Sequence, residues 1–192
     1  IYATKALNEV SWYQPTPETS LNIIGETGIE KDAAIIDVGG GDSYLVDHLL
    51  AAGYTNITLL DISERAIERA QQRLGEDAKK VKWLCSDAAQ FEPNQNYDLW
   101  HDRAAFHFLT NPTEISYYTK TAINHISPNG SMIIATFAKD GPLKCSGIEI
   151  SQYDAIDLVK AFAELKLQED YKVAHPTPFD TIQNFTFCWF KK

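Results

Sequence analysis

The stretch 33–53 constrains the fold of this chain more than any other, because it joins an apolar run, three glycines and a helical pattern. Residues 33–38 form a short apolar run of the kind that a strand buried on both faces requires. Glycines 39–41 then interrupt regular structure, and apolar residues recur at helical spacing over 45–50. Bare backbone N–H groups at the start of this helix favour a polar or anionic ligand group. The sequence therefore predicts an α/β fold with a ligand site at this turn.

Three carboxylates lie at the ends of three successive apolar runs. Asp37 lies near the end of the first run, Asp61 ends the run 56–61, and Asp87 follows the run 81–85. Ligands of open α/β sheets bind at the edge where the carboxyl ends of the strands meet, so we expect these acids to lie close together. Asp61 follows the glycines by about 20 residues, the spacing at which nucleotide sites place the acid that accepts hydrogen bonds from ribose hydroxyls.

The rest of the chain continues the alternation of helices and strands. A helix is predicted before the first strand, with Gly25 as its stop, and others lie between the later strands. Further strands are predicted at 97–101, 132–137, 171–174 and 185–190. The loop 138–147 has turn residues and no apolar period, and we expect its Lys144 and Cys145 to face solvent. The total is seven strands, of which the last two form a return pair.

The glycine turn discriminates between two classes of nucleotide site. The dinucleotide fingerprint requires a third glycine three residues after the second, and Tyr44 occupies that place when the count starts from Gly39 and Gly41. Tyr44 therefore argues against a nicotinamide dinucleotide. The sequence Asp37-Val-Gly-Gly-Gly-Asp-Ser43 instead resembles motif I of the class I S-adenosylmethionine (SAM) methyltransferases. With the strand-end acids, this resemblance extends over 33–137, and the remainder of the chain resembles the family in the order of its elements.

The resemblance implies a fold, a cofactor and a set of binding residues. The fold would be a doubly wound, mostly parallel seven-stranded sheet with helices on both faces and an antiparallel strand in the C-terminal hairpin. The cofactor would be SAM, with S-adenosylhomocysteine as its product. In this family the residue matching Asp87 faces the adenine amino group, and Ala88 offers a backbone N–H near the ring. The implied cofactor-binding residues are Asp37, Gly39, Gly40, Gly41, Asp61, Ile62, Asp87, Ala88 and His101.

The same resemblance suggests how the chain is divided, and the whole chain is expected to form one domain. Residues 1–30 would form an entry segment and lid, in which Trp12 and Tyr13 lie over the cofactor. Residues 33–137 would bind the cofactor, and 138–192 would supply an acceptor-side loop and the last strands. The alternative for Trp12 and Tyr13 is that they cover an edge of the core.

A cluster of polar residues follows the fourth predicted strand. Asp102, Arg103 and His107 lie where the strand order of such a sheet reverses, which is where an acceptor would sit. Helical spacing would place Arg103 and His107 on one face, with Phe106 and Phe108 turned elsewhere. His107 or Asp102 could take a proton from an amine or hydroxyl acceptor, and Arg103 could orient an anionic acceptor through a bidentate contact. The alternative is a local ion pair between Asp102 and Arg103 and a surface imidazole at His107.

Composition disfavours several classes of partner. A net charge of −9 over 192 residues provides no electrostatic footprint for nucleic acid. The three cysteines are widely separated and contain no Cys-x-x-Cys, so we expect neither a disulfide framework nor a metal site. No apolar run approaches about 18 residues and the N-terminus lacks a signal-peptide pattern, so we expect neither a membrane span nor export. A cytoplasmic protein is the simplest prediction.

We therefore predict a SAM-dependent methyltransferase whose acceptor is a small molecule or a protein side chain. Segments 100–110 and 141–147 also resemble a group of small class I enzymes that includes protein lysine methyltransferases. Two alternatives stay open. A SAM-binding regulator or catalytically inactive partner protein would keep the three acids without a usable acceptor pocket, and an NAD(P)-dependent oxidoreductase would have to tolerate Tyr44. The sequence leaves the methylated atom and the oligomeric state open.

Overall fold

The computed structural model describes residues 10–192, and their central feature is a seven-stranded sheet. The strands are β1 Ile35–Val38, β2 Ile57–Asp61, β3 Val81–Cys85, β4 Tyr97–Arg103, β5 Ile126–Phe137, β6 Lys144–Cys145, β7 Ile148–Glu149, β8 Lys166–Pro176 and β9 Ile182–Lys191. The sheet has the order β3-β2-β1-β4-β5-β9-β8, while β6 and β7 form a separate small hairpin. Strands β1 to β5 pair in parallel, and β9 lies antiparallel between β5 and β8. The predicted fold class is confirmed.

Helices cover both faces of the sheet. They are α1 Glu18–Thr27, α2 Leu45–Ala51, α3 Glu64–Leu74, α4 Pro112–His125 and α5 Ala155–Ala161. Helices α1, α2 and α3 contribute to one apolar cluster, and α4 and α5 contribute to another on the opposite face. The first helix does not stop at Gly25 as predicted, because that glycine lies in open space within α1. It ends instead at Gly28, which has a left-handed φ of 68°.

The fourth strand is longer than its sequence pattern predicts, and this changes the geometry of the segment that follows. Strand β4 continues through Asp102 to Arg103, and only a single short helical turn, Phe106–Phe108, comes after it. The predicted helical face shared by Arg103 and His107 is therefore wrong. Side chains two residues apart on a strand point to the same face, so Arg103 lies on the face of His101.

The end of β4 is anchored to α4 by a buried chain of hydrogen bonds. Asp102 accepts backbone N–H groups from Ala105 at 2.9 Å and Phe106 at 3.1 Å, and it accepts the hydroxyl of Tyr118. Trp100 Nε1–H donates to the same hydroxyl at 3.1 Å. Burial raises the pKa of Asp102 to about 6, although these donors oppose the shift. Asp102 thus fixes the turn after β4.

We predict that Tyr118→Phe lowers the free energy of unfolding by about 1–3 kcal/mol, because buried partners lose a hydrogen bond. The folded-state pKa of Asp102 already lies above its unfolded value, so its ionisation lowers stability as the pH rises from about 4 to about 6. Removing the tyrosine donor raises that folded-state pKa further. Urea unfolding should therefore show a larger loss at about pH 7.5 than at about pH 5.

Tyr117→Phe is the matched control for this prediction, since the Tyr117 hydroxyl makes only a 3.4 Å contact with the carbonyl of Phe91. It should change stability little at either pH. A loss of equal size at both pH values in Tyr118→Phe would show that the hydroxyl does not support the Asp102 carboxylate.

Candidate active site

One cavity of about 400 Å³ lies at the carboxyl ends of β1, β2, β3 and β4. Eight of the nine predicted cofactor-binding residues line it, and the exception is Gly41, which belongs to the same turn but does not line the cavity. Residues that the sequence analysis did not select also line the cavity: Asp42, Ser43, Leu60, Ser86, Ala104, Ala105, Phe108, Leu109, Cys145, Ser146 and Ile148.

The glycine turn passes so close to its neighbours that side chains are excluded at two positions. A Cβ at Gly39 would lie 2.6 Å from the Cβ of Ala105, and Gly39 also has a left-handed φ of 68°. A Cβ at Gly40 would lie 2.4 Å from Asp37 Oδ2 and 3.0 Å from a methyl group of Leu59. These glycines are required by steric fit between β1 and the turn after β4.

The outer side of the glycine turn is held by an arginine of α3. Arg73 donates to the backbone carbonyls of Asp42 at 3.2 Å and Ser43 at 2.8 Å, and it forms a 2.8 Å ion pair with Asp47. Arg73 also lies over the ring of Tyr44, 4.5 Å from its centroid. Tyr44 thus stands where the dinucleotide fingerprint has glycine because its ring packs against Arg73.

Arg69, one helical turn before Arg73, forms a 3.0 Å ion pair with the buried carboxylate of Asp42. Sequence reasoning missed both arginines. Their i, i+4 spacing on a predicted helix was the available signal, since it places the two guanidinium groups on one face. Together they pair with Asp42 and hold the glycine turn against α3.

Asp37 is buried at the end of β1 with one oxygen bound and the other without a partner. His101 Nδ1 donates to Asp37 Oδ1 at 2.7 Å, and His101 Nε2 lies 2.9 Å from Ser20 Oγ. Asp37 Oδ2 makes no hydrogen bond within residues 10–192. A buried carboxylate oxygen is costly to leave unpaired, so this position favours a hydrogen-bond donor in the cavity.

The other two predicted acids lie along the same edge. Asp61 Oδ1 accepts the N–H of Ser63 at 2.7 Å, and Asp87 Oδ1 accepts the N–H of Ala89 at 2.9 Å. Burial raises the pKa of Asp61 to about 6, and the negative charges of Asp37 and Asp42 add to this shift. The edge therefore concentrates acceptors that a ligand with several N–H or O–H donors would satisfy.

The N-terminal segment lies beside the cavity. Trp12 lines it, and Arg103 Nη2 donates to the carbonyl of Trp12 at 3.1 Å. Tyr13 does not line the cavity but lies in an adjoining shallow recess, with its ring 6.2 Å from that of Tyr44. His175 Nε2 donates to the carbonyl of Ser11 at 2.9 Å, which ties the same segment to β8.

The three predicted acceptor-side residues separate in the structure. Arg103 lines the cavity, whereas Asp102 is bound in the turn after β4 and His107 is fully buried between the rings of Phe108 and Phe137. Burial lowers the pKa of His107 to about 3, so its ring is neutral. Neither Asp102 nor His107 lines the cavity, so the geometry does not support either as a general base, nor His107 as a surface imidazole.

The loop after β5 also differs from its prediction. Lys144 is exposed as expected, but Cys145 is buried and lines the cavity, because β6 and β7 fold into a hairpin beside it. Within residues 10–192, no group of three or more His, Cys, Asp and Glu side chains is arranged to hold a metal ion. In the same range, no helix has the length and apolar character needed to cross a membrane.

Comparison with known proteins places the chain among methyltransferases. Residues 35–130 match a family model described as a methyltransferase domain. The chain is 38% identical over 88 residues to the malonyl-[acyl-carrier protein] O-methyltransferase of Anoxybacillus flavithermus, covering 45% of this chain and 33% of that protein. It is 23% identical over 131 residues to the N-terminal Xaa-Pro-Lys N-methyltransferase 1-A of Xenopus laevis, covering 67% and 58%.

A solved structure shares the fold. It is the Burkholderia thailandensis 1,6-didemethyltoxoflavin-N1-methyltransferase with bound 1,6-didemethyltoxoflavin and S-adenosylhomocysteine, with a TM-score of 0.73 and 17% identity. The alignment covers 92% of this chain and 77% of that one. The chain spans between 33% and 49% of the length of the first curated relatives that it matches.

We predict that Gly40→Ala lowers the free energy of unfolding by about 1–3 kcal/mol, the usual cost of overpacking. The added methyl group meets the Asp37 carboxylate, which cannot move freely because His101 holds it. Gly25→Ala is the matched control, since its added methyl group meets open space in a helix and should stabilise the protein by about 0.5–1 kcal/mol. Both free energies of unfolding are measured with urea. A change of the same sign in Gly40→Ala and Gly25→Ala would contradict the steric fit of the turn.

Proposed function

The chain belongs to the class I SAM-dependent methyltransferase family, and we propose on that basis that it transfers the methyl group of SAM to an acceptor held in the cavity. The observation that carries this proposal is Asp37 Oδ2, which lies beneath the glycine turn, on the same edge as Asp61 and Asp87, and has no hydrogen-bond partner within residues 10–192. SAM has hydrogen-bond donors of the kinds that such an edge requires: an ammonium group, two ribose hydroxyls and an adenine amino group.

The residues present fit these groups one by one. Asp37 Oδ2 would accept from the ammonium group, Asp61 from the ribose hydroxyls and Asp87 from the adenine amino group. Ala88 would offer its N–H near the adenine ring, and Ile62, which is exposed at the mouth of the cavity, would cover the ring. Arg73 would act indirectly, because its hydrogen bonds to two loop carbonyls hold the glycine turn in place.

Methyl transfer from SAM requires that the protein position the acceptor, and it does not require a nucleophilic side chain. Bound SAM supplies an electrophilic methyl group on its sulfonium, so the protein's contribution is to bind the reactants, align the acceptor and exclude water. Trp12 and the β6–β7 hairpin would limit the access of water to the cavity. Among the three residues predicted for the acceptor side, we retain Arg103 in that role, while Asp102 fixes the turn after β4 and His107 packs in the core.

The nature of the acceptor is a separate part of the proposal. Two relatives are named for malonyl-[acyl-carrier protein] and for N-terminal Xaa-Pro-Lys, and a protein of the same fold is named for 1,6-didemethyltoxoflavin, so both a small-molecule and a protein acceptor are compatible with this proposal. The net charge of −9 disfavours nucleic acid. We propose a cytoplasmic location from the sequence pattern alone. Methyl transfer to any acceptor from a panel would exclude the alternative of an inactive SAM-binding partner.

We predict that wild-type protein binds S-adenosylhomocysteine and SAM in titration calorimetry and does not bind NAD, because Tyr44 packs against Arg73 where the dinucleotide fold needs glycine. Asp61→Asn should weaken S-adenosylhomocysteine binding at about pH 7.5 by about 1–3 kcal/mol, since the ribose hydroxyls lose a charged acceptor. Asparagine can still accept the N–H of Ser63, so the turn should be kept. Binding of NAD without either adenosyl ligand would overturn the assignment.

The pH dependence gives this prediction a second readout. Hydroxyl donors favour the ionised form of Asp61, so wild-type affinity should rise as the pH passes the apo pKa of about 6. Asp61→Asn should lose that dependence and should not lower stability, because ionisation of a carboxyl with a raised pKa destabilises the apo protein. Asp170→Asn, at an exposed position on β8, controls for the loss of one charge. If folded Asp61→Asn binds S-adenosylhomocysteine with unchanged affinity, Asp61 has only a structural role in the turn.

A further inference from the structure

Arg103 is the only arginine or lysine that lines the cavity within residues 10–192. Its side chain is partly buried, with the guanidinium carbon 5.5 Å from the centroid of the Phe185 ring and Nη2 donating to the carbonyl of Trp12. These contacts fix the group against the inner wall of the cavity. A guanidinium has five N–H donors, and the contact with Trp12 uses one of them.

Within residues 10–192, Arg103 forms no ion pair with a carboxylate at contact distance. The charge of Asp37 favours ionised Arg103 from beyond ion-pair distance, but Asp37 is paired with His101, and Asp42 is paired with Arg69 and Arg73. Burial lowers the pKa of Arg103 to about 10, which leaves it charged at neutral pH. A charge withdrawn from water without a partner is unfavourable, so a ligand anion would relieve it.

We propose that Arg103 binds a ligand carboxylate in the cavity, through the bidentate geometry that guanidinium groups form with carboxylates. The proposal rests on the proposed function, because it assigns a group to one of the two reactants. The cavity that Arg103 lines also has apolar lining residues, among them Trp12, Ala104, Phe108 and Ile148.

Two sources can supply this carboxylate, and they are separable. One is the amino-acid carboxylate of SAM, and the other is a carboxylate of the acceptor. In both cases the contact is a charge-assisted pair in a partly dry site, so its loss should weaken binding of the ligand that carries the carboxylate by about 10- to 100-fold.

The test compares Arg103→Gln with wild type by calorimetry, using three probes. S-adenosylhomocysteine carries the cofactor carboxylate, and decarboxylated S-adenosylhomocysteine keeps the amine and lacks only that carboxylate. The third probe is benzoate, titrated into protein that is saturated with S-adenosylhomocysteine. Benzamide is its neutral counterpart. A loss confined to S-adenosylhomocysteine assigns Arg103 to the cofactor carboxylate. If Arg103→Gln leaves both nucleoside affinities unchanged but loses benzoate binding, Arg103 is assigned to the acceptor carboxylate. For this assignment, wild-type protein must bind benzoate more tightly than neutral benzamide.

Arg65→Gln, at an exposed position on α3, removes the same charge away from the cavity and should leave all three titrations unchanged. If Arg103→Gln does not fold, Arg103→Lys replaces it in the test. Lysine keeps the positive charge but cannot form the bidentate contact, so this variant should still bind the carboxylate ligand more weakly than wild type. Wild-type affinities in a folded Arg103 variant for every probe would overturn this inference alone. Failure of wild-type protein to bind S-adenosylhomocysteine would overturn the proposed function and this inference with it.

Discussion

The close approach between the glycine turn and the end of β4 is the constraint on which the rest of the site depends. Gly39 touches Ala105, and Gly40 covers the Asp37 carboxylate, at distances that leave no room for a side chain. Ala105 is held in turn because Asp102 accepts its N–H group. The turn after β1 and the turn after β4 therefore form one rigid wall, and a change in either moves both.

Charge is distributed around this wall in a consistent way. Three acids lie close enough that Asp37 and Asp42 help to raise the pKa of Asp61, and Arg69 and Arg73 balance Asp42 from outside the turn. Within residues 10–192, the cavity lining holds an acceptor without a hydrogen-bond partner, Asp37 Oδ2, and a guanidinium without an ion pair, that of Arg103. This arrangement suits a ligand that carries both hydrogen-bond donors and an anion.

The fold and the position of the three acids follow from sequence, while the surroundings of Asp102 and His107 do not. Apolar runs that end in acids give the strands, and their order along the chain is enough to bring Asp37, Asp61 and Asp87 to one edge. The positions of Asp102 and His107 depend on two features that the neighbouring sequence does not indicate. Strand β4 runs on through charged residues because its hydrogen bonds to β5 continue, and Tyr118, distant in sequence, satisfies Asp102. Cys145 is buried for a similar reason, since only tertiary contact places the hairpin beside the cavity.

The central claim is that the carboxyl ends of β1, β2 and β3 hold the cofactor, and hydrogen–deuterium exchange with saturating S-adenosylhomocysteine tests it most directly. The account predicts slower exchange in peptides that cover 39–43, 60–63 and 86–89, with little change in α4 and α5 on the opposite face of the sheet. Protection confined to α4 or α5, with none at the three strand ends, would contradict it.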